Sequence, residues 1–392
     1  MQTTDGTPNR PPVPLGPLLR LPFEEAECAA SVAARFERVV AFAPDAVAIE
    51  TDNGQWTFDA LNSWANTLAH ALIRRGGTES EPVVLLLSHD APLVAALVGV
   101  LKAGKFFCAL DPTDPPLRLS SLLDDLGARF LITDAVHAEQ ARSLAPAGCD
   151  VLAIETLGSD APNHAPAVTI PPEAPAVVVY TSGSSGLAKG VVRLQRTLTQ
   201  RAFVDQELLD LRSGDRLSFL VPPITASAVT SVMQGLLCGA TLLPFPVRRE
   251  GVTAMADWLG NKRITHLRVV VPLLRQLLAA LLPHQYYPDL RRVEATGDVL
   301  YRRDVETFRP HVSPECVLVH RYSSSETGMI ASAAITADTV LDDDVVIVNQ
   351  VSGEISGKPV VDLHIDKQVP QHIYVLPVGF VFISVVIEEL NF

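Results

Sequence analysis

The chain has 392 residues, enough for a large hydrophobic core and for two or three domains or subdomains. Its formal net charge of −13 argues against a nucleic-acid-binding surface, and the sequence has no block of basic residues interleaved with aromatics. The five cysteines are odd in number and lack metal-ligand spacing, which predicts buried thiols in a reducing compartment.

The two ends of the chain carry no targeting or membrane signal that we recognise. Residues 1–22 are polar and proline-rich, so we expect a disordered tail and a cytoplasmic protein. The most apolar stretch, residues 373–387, contains Pro377 and Gly379 and is short for a membrane span. It predicts one or two buried strands and no membrane segment.

Two helices are predicted first, over residues 31–42 and from Thr57, a candidate N-cap, to Gly76. Strands and helices then alternate as far as residue 154. The predicted strands are 83–87, 106–110, 129–133 and 151–154, and the predicted helices are 91–103, 116–126 and 135–144.

Residues 155–174 hold four prolines and little periodicity, which predicts a linker. Alternation resumes with strands 177–181, 217–221, 241–244, 265–271 and 292–296, and with helices 194–211, 227–237, 253–259, 272–282 and 303–308. Continuous apolar strands favour parallel pairing with both sheet faces covered. We therefore expect an α/β fold with two doubly wound layered subdomains, 23–154 and 175–345, and a short divergent β-rich segment, 346–392.

A loop rich in glycine and hydroxyl groups follows the predicted strand 177–181. Glycines let backbone N–H groups approach phosphate oxygens, hydroxyls donate hydrogen bonds and a lysine adds positive charge. The loop differs from the Walker A and dinucleotide-binding patterns in its spacing. The alternative is a solvated serine–glycine turn. The candidate phosphate-binding residues are Thr181, Ser182, Gly183, Ser184, Ser185, Gly186 and Lys189.

The order Tyr-Thr-Ser-Gly-Ser-Ser-Gly-x-x-Lys-Gly over residues 180–190 resembles the phosphate loop of the adenylate-forming enzymes. That superfamily includes acyl- and aryl-CoA ligases, luciferases and the adenylation domains of nonribosomal peptide synthetases. Residues 56–61 and 101–112 resemble two further family motifs, to which we assign structural roles. The resemblance is closest to the peptide-synthetase branch and covers about residues 30–345.

Two later segments resemble family motifs of the nucleotide site. Gly297 and Asp298 resemble a glycine–acid segment that lies against adenine and the acyl pocket; the alternative is a simple turn. Residues 320–328 resemble the aromatic-Gly-x-Thr-Glu motif. By this resemblance His320 belongs to the ATP site, Tyr322 stacks on adenine, Ser325 binds the α-phosphate, and Glu326 is a catalytic residue whose carboxylate holds Mg²⁺. Thr181 and Lys189 are the other catalytic candidates.

The acyl pocket is expected at Thr225, Ala226, Gly297 and Arg321. Amino-acid-activating relatives carry an aspartate for the substrate ammonium, and Thr225 stands there in this chain. A buried ammonium without a carboxylate partner is costly. An amino acid, an aryl acid, a hydroxy or keto acid and a fatty acid therefore all remain candidates. The alternative role for Thr225 is the N-cap of the next helix.

The resemblance implies ATP-dependent adenylation of a carboxylic acid and its transfer to a phosphopantetheine thiol on a carrier-protein domain. After residue 330 the family's Thr-Gly-Asp segment, hinge and lid lysine are not recognisable, so we expect a C-terminally truncated member. The alternative function is a non-catalytic nucleotide-binding remnant. An unrelated P-loop phosphotransferase is disfavoured by the loop spacing.

Overall fold

The computed structural model describes residues 19–156, 162–182, 188–324, 328–341 and 344–346, with only the backbone of Ser182 and Gly328. Four short C-terminal strands are described by their backbone alone. They are β15 (Glu354–Ile355), β16 (Lys358–Pro359), β17 (Tyr374–Val378) and β18 (Val381–Val385).

The helices of the described part lie close to the predicted ones. They are α1 (Val32–Phe42), α2 (Phe58–Gly76), α3 (Ala91–Lys102), α4 (Pro116–Leu126), α5 (Ala138–Leu144), α6 (Gln195–Leu208), α7 (Ala226–Cys238), α8 (Val247–Asn261), α9 (Val271–Ala280) and α10 (Arg302–Phe308). Ser31, Thr57, Asp90 and Thr225 each accept a backbone N–H at the start of a helix. Both predicted N-caps, Thr57 and Thr225, are therefore confirmed.

The strands form two large sheets. They are β1 (Val47–Thr51), β2 (Gly54–Thr57), β3 (Pro82–Leu86), β4 (Phe106–Ala109), β5 (Phe130–Thr133), β6 (Asp150–Ala153), β7 (Pro175–Ser182), β8 (Ala188–Leu194), β9 (Arg216–Phe219), β10 (Thr241–Pro244), β11 (His266–Val270), β12 (Arg292–Thr296), β13 (Val317–Ser324) and β14 (Gly328–Ile335). The six-stranded sheet has the order β6-β5-β3-β4-β7-β8, and the eight-stranded sheet the order β14-β13-β12-β11-β9-β10-β1-β2. The α/β class and the two layered sheets are confirmed.

The parallel pairing predicted from the apolar strands holds inside both sheets. The exceptions lie at sheet edges, where β2, β8 and β14 pair antiparallel with their sequence neighbours. None of these three strands was predicted, nor were β1 and β13. Each of these three edge strands is the second strand of a hairpin. Because an edge strand need not be apolar on both faces, its sequence lacks the continuous apolar run that predicted the inner strands.

Each of the two sheets contains strands from both sides of residues 155–174. Strands β7 and β8 follow that segment but join the six-stranded sheet, whereas β1 and β2 precede it and join the eight-stranded sheet. Each half of the chain thus contributes two strands to the sheet of the other half. The boundaries proposed for the subdomains stay a prediction.

One core lies between the sheets and is formed by α1, α2, α3, α6 and α7 with the inner faces of both sheets. A second core packs α8, α9 and α10 on the outer face of the eight-stranded sheet, and a third packs α4 and α5 on the outer face of the six-stranded sheet. The layers therefore run helix, sheet, helix, sheet, helix.

Four of the five cysteines are buried and Cys149 is half-buried, and all five are free thiols. Burial raises the pKa of Cys108 to about 12 and that of Cys28 to about 11. The prediction of buried thiols is thereby confirmed for Cys28, Cys108, Cys238 and Cys316. Among the described residues, no helix combines the length and apolar character needed to cross a membrane.

Candidate functional site

The predicted phosphate loop lies at the carboxyl end of β7 and is flanked by an antiparallel hairpin. Thr181 pairs with Lys189 across β7 and β8, and the Thr181 hydroxyl donates to the Lys189 carbonyl at 3.5 Å. The Lys189 side chain is exposed. Residues 183–187, including Gly183, Ser184, Ser185 and Gly186, lie outside the described residues. The structure therefore shows the flanks of the loop and leaves the roles of all these residues as predictions.

The loop end of this hairpin is tied to a helix of the outer layer. The Tyr180 hydroxyl donates to Oδ2 of Asp125 on α4 at 2.5 Å. Burial, together with this carboxylate, raises the pKa of Tyr180, so the hydroxyl stays a donor. Tyr180 thus fixes the strand immediately before Thr181.

The Gly297–Asp298 segment directly follows β12 at the carboxyl edge of the eight-stranded sheet. Gly297 has φ of +83°, a conformation that side chains other than glycine rarely adopt. Asp298 accepts the backbone N–H of Val299 at 2.7 Å and lies 3.3 Å from Nη1 of Arg275. The carboxylate is therefore held near the turn, half exposed at the strand end.

His320 is buried and holds the two predicted motifs together. Its Nε2 lies 3.1 Å from the carbonyl oxygen of Asp298. Burial lowers the pKa of His320, and the contact with the Asp298 carbonyl works in the opposite direction. The neutral ring with Nε2 protonated matches this contact. The geometry thus gives His320 a positioning contact, and its membership of the nucleotide site stays a prediction.

Tyr322 is the exposed aromatic residue at the end of β13, with 52% of its side chain accessible. The neighbouring Ser323 hydroxyl is 3.4 Å from the Thr296 hydroxyl, so β12 and β13 are joined at this edge. Ser325 and Glu326 lie outside the described residues, although Ser324 and Gly328 on either side pair with each other. No group of three or more His, Cys, Asp or Glu side chains in the described ranges could hold a metal ion.

Two of the predicted pocket residues begin α7. The Thr225 hydroxyl accepts the backbone N–H of Ala228 at 3.2 Å, and Ala226 is buried. The helix-capping role that sequence left as the alternative for Thr225 is therefore confirmed, which does not test its place in the pocket. Since threonine carries no charge, the cap supplies no partner for a substrate ammonium.

Arg321, the remaining pocket candidate, is buried in a group of charged side chains. Its Nη1 lies 2.9 Å from Oδ1 of Asp205 and 3.1 Å from Oε2 of Glu294. Arg268 pairs with the same glutamate. Asp205, Arg268 and Glu294 were not among the residues predicted from the sequence. For Arg268 and Glu294 the available signal was a charged residue in the interior of a predicted strand.

The candidate residues fall on two sheets. Thr181 and Lys189 belong to the six-stranded sheet, while Gly297, Arg321 and Tyr322 belong to the eight-stranded sheet or the turn that follows one of its strands. In open α/β sheets, ligands bind at the carboxyl ends of the strands. Thr181, Gly297 and Tyr322 all lie at such ends, which places the predicted motifs on comparable edges of their sheets.

Known proteins match this chain over most of its length. The family model of the AMP-binding enzymes matches residues 36–365. A probable non-canonical nonribosomal peptide synthetase, CymA of Salinispora arenicola, is 32% identical over 270 residues, or 69% of this chain. The malformin synthetase mlfA of Aspergillus kawachii is 29% identical over 282 residues, or 71% of the chain. The chain spans only 3% and 5% of the lengths of these two relatives.

Solved structures share the fold. The peptide synthetase FmoA3 in its AMPPNP-bound form has a TM-score of 0.73 and 25% identity, covering 80% of this chain and 33% of that one. The Klebsiella oxytoca NpsA N-terminal subdomain, in complex with 3-hydroxybenzoyl-AMSN, has a TM-score of 0.70 and 20% identity, covering 81% and 79%. With the family model matching well over half of its residues, the chain belongs to the AMP-binding enzyme family.

Proposed function

We propose that this chain activates a carboxylic acid with ATP, forming an acyl-AMP and pyrophosphate, for transfer to the phosphopantetheine thiol of a carrier-protein domain. The observation that carries the proposal is the match of the AMP-binding family to residues 36–365, with Thr181 and Lys189 in register beside the predicted phosphate loop. The relatives that are peptide synthetases support the carrier-bound acceptor.

The proposed reaction needs no covalent bond between the protein and either substrate. A carboxylate oxygen of the acid attacks the α-phosphorus of ATP, the bond to the β-phosphate bridging oxygen breaks, and pyrophosphate leaves. Positioning and neutralisation of phosphate charge carry such reactions. The Lys189 ammonium and the hydroxyl of Thr181 are the described groups suited to this task.

Magnesium accompanies ATP, and Glu326 is the residue proposed to hold it. A carboxylate is a suitable ligand for this hard cation when phosphate oxygens complete the set. In the site as proposed, Tyr322 supplies an exposed ring for adenine. His320 holds the Asp298 carbonyl beside that ring, so its role is to position the turn after β12.

The second candidate function is nucleotide binding without catalysis. It is favoured by the divergent sequence after residue 330, in which the family's Thr-Gly-Asp segment is not recognisable. Such a chain would bind ATP at the same edges of the two sheets and form no acyl-AMP.

One pair of measurements separates the two candidates. Exchange of labelled pyrophosphate into ATP, measured with a panel of amino, aryl, hydroxy, keto and fatty acids, supports acid activation when it depends on the acid. ATP binding by calorimetry, with no exchange for any acid, supports the second candidate. A chain that binds neither ATP nor AMP contradicts both.

A further inference from the structure

A buried group of charged side chains lies directly inward of the proposed nucleotide site. We call it the arginine cluster: Arg201, Asp205, Arg268, Glu294 and Arg321. Asp205 is fully buried, and only 2% of Arg321 and 3% of Glu294 are accessible. The cluster fills the space between the eight-stranded sheet and helices α6 and α7. Removing this many charged groups from water costs free energy that other interactions must offset.

Strand register places the cluster beside the candidate site. Arg268 is in register with Glu294, and Thr296 with Arg321, so these four side chains share the face that meets α7. Gly297 follows Thr296, and Tyr322 follows Arg321. The cluster therefore begins one residue inside the carboxyl edge where the proposed site binds adenine. In the site as proposed, the carbon chain of the activated acid would extend along this face.

Helix α7 closes the other side of the same space. The Ser227 hydroxyl accepts Nε of Arg268 at 3.2 Å, and Nε2 of Gln234 donates to Oδ2 of Asp205 at 2.7 Å. Thr225 and Ala226, the predicted pocket residues, immediately precede Ser227. The helix that begins with two predicted pocket residues therefore also contacts the arginine cluster.

The charges within the cluster do not cancel. Three guanidinium groups face two carboxylates, which leaves one positive charge in excess. Arg201 is paired with Asp205 at 2.7 Å, and Arg268 pairs with Glu294. Arg321 shares both carboxylates with these partners. A buried excess charge is stabilised by a ligand of opposite sign.

Hydrogen bonding in the cluster is also incomplete. Six of its buried polar atoms have no hydrogen-bond partner among the described residues: Asp205 Oδ1, Arg268 Nη1, Glu294 Oε1, and Nε, Nη1 and Nη2 of Arg321. The ion pairs that these atoms make are close but lack hydrogen-bond alignment. Four of the six atoms are guanidinium donors. A carboxylate can accept two such donors at once.

Packing around part of the cluster leaves a small cavity. A cavity of about 20 Å³ is bordered by Arg268 and Glu294 of the cluster and by His266 and Arg292 at the starts of β11 and β12, so it lies on the side of Glu294 away from Arg321. That volume is room for one water molecule. Arg268 and Glu294 therefore border a small unfilled space inside the core.

We propose that the acid activated by this chain carries a second carboxylate at its distal end, and that Arg321, assisted by Arg268, binds this carboxylate. The inference rests on the proposed function, because it places the acid next to the nucleotide. It selects a dicarboxylic class of substrate from the acids that the sequence left open. Glu294 and Asp205 hold the two arginines in place.

The test measures binding rather than turnover, so that it does not depend on catalysis. Non-hydrolysable acyl sulfamoyl-adenosines are titrated into the full chain in three pairs of equal length: succinyl with butanoyl, glutaryl with pentanoyl, and adipoyl with hexanoyl. In at least one pair the dicarboxylate analogue is expected to bind roughly tenfold to a hundredfold tighter. AMP is titrated alongside as the report on the nucleotide site.

The outcomes distinguish the two levels of the proposal. Binding of AMP with no preference for the distal carboxylate in any pair overturns this inference and leaves the proposed function standing. Failure of AMP, ATP and every analogue to bind overturns the proposed function and this inference with it. A preference for the apolar member of each pair also overturns the inference.

Variants identify the residue that makes the contact. Because Arg321→Met takes one cationic partner from each of two buried carboxylates and could unfold the chain, the main variant is the charge-balanced pair Arg321→Gln with Glu294→Gln. It is expected to lose at least tenfold of the preference for the dicarboxylate. Arg321→Lys keeps the charge but not the paired donors, and is expected to keep part of the preference.

The matched control is Arg216→Gln. Arg216 lies on β9 and forms a partly buried ion pair with Glu50 at 3.0 Å, outside the cluster. It is expected to retain the full preference. Retention of the full preference by the charge-balanced variant, with an unchanged melting temperature, contradicts the assignment of Arg321.

Discussion

Thr181 and Lys189 face each other across the β7–β8 hairpin, with the Thr181 hydroxyl donating to the Lys189 carbonyl oxygen at 3.5 Å. The two residues therefore stand at one level, immediately beside the glycine- and serine-rich segment. The pairing orders the backbone on both flanks of that segment. The exposed Lys189 side chain is left available for a phosphate oxygen.

Removal of the proposed phosphate contacts should stop acid activation. Thr181→Ala, Lys189→Ala and Glu326→Ala are each expected to lower acid-dependent pyrophosphate exchange by roughly 10²–10³, because each removes a group that we propose to meet developing phosphate charge. Lys262→Ala is the control, since Lys262 pairs with Glu50 and Asp52 on the protein surface. Exchange at the parental rate in the Thr181 or Glu326 variant refutes the assignment of that residue.

Tyr322 offers a test of nucleotide binding that is separate from the chemistry. Stacking of a base on an aromatic ring contributes about 1–3 kcal/mol. Tyr322→Ala is therefore expected to weaken AMP binding by about 5- to 150-fold, whereas Tyr322→Phe keeps the ring and the affinity. Because half of the side chain is exposed, neither change should alter the midpoint of urea unfolding. Equal AMP affinity in the alanine and phenylalanine variants contradicts stacking.

The sequence predicted most of the helices and buried parallel strands because both carry local signals. Thr57 and Thr225 are short polar side chains just before apolar stripes, and each is an N-cap in the structure. Residues 116–126 were predicted as a helix with the bounds that α4 has. Local propensity and burial agree at these places, so the pattern is sufficient.

The exchange of edge strands could not be predicted in the same way. Val47–Thr51 pairs with β10, whose partner residue Leu242 is almost two hundred positions away, and nothing local in either strand specifies that pairing. Apart from Arg321, which was a pocket candidate, the arginine cluster was missed for a related reason. Glu294 and Arg321 are hydrophilic residues that find their charges balanced only by partners on another strand or on α6. The motif residues at strand ends were proposed from local composition and from their resemblance to family motifs, and their roles stay predictions.

His89 should make the protein sensitive to mild acid. Its ring meets Phe219 edge to face with centroids 4.2 Å apart, and its Nε2 has no hydrogen-bond partner in the described part of the chain. Burial lowers the pKa of His89 to about 4, partly offset by the Asp111 carboxylate. The unfolded chain, in which histidine has its ordinary pKa of about 6.5, therefore binds more protons between pH 6.5 and 4.

Stability should consequently fall as the pH is lowered through that window. His89→Gln removes this titration and is expected to flatten the profile by roughly 2–3 kcal/mol between pH 7 and 4. The measurement is urea unfolding at several pH values, with the exposed His284→Gln as the control. A parental slope in the His89 variant argues that the ring is protonated within the fold.

Helices α2 and α3 pack closely in the core between the two sheets, and the absence of a side chain at Gly99 permits this contact. A Cβ added at Gly99 would lie 2.8 Å from the carbonyl oxygen of Ala65 and 2.9 Å from Cδ2 of Leu68. Alanine has the higher helix propensity, so sequence alone predicts that Gly99→Ala is stabilising. Since backbone must move to admit the methyl group, we expect the opposite, a loss of about 1–3 kcal/mol in the free energy of unfolding.

Gly260, near the end of α8, provides the matched comparison. A Cβ there would meet only the ring of Tyr287 at 3.9 Å, so Gly260→Ala should gain up to about 0.5–1 kcal/mol. Urea unfolding of the two variants thus separates packing from propensity, because the same substitution is expected to have opposite signs at the two sites. Stabilisation at both would mean that α2 and α3 are not in contact at Gly99 in solution.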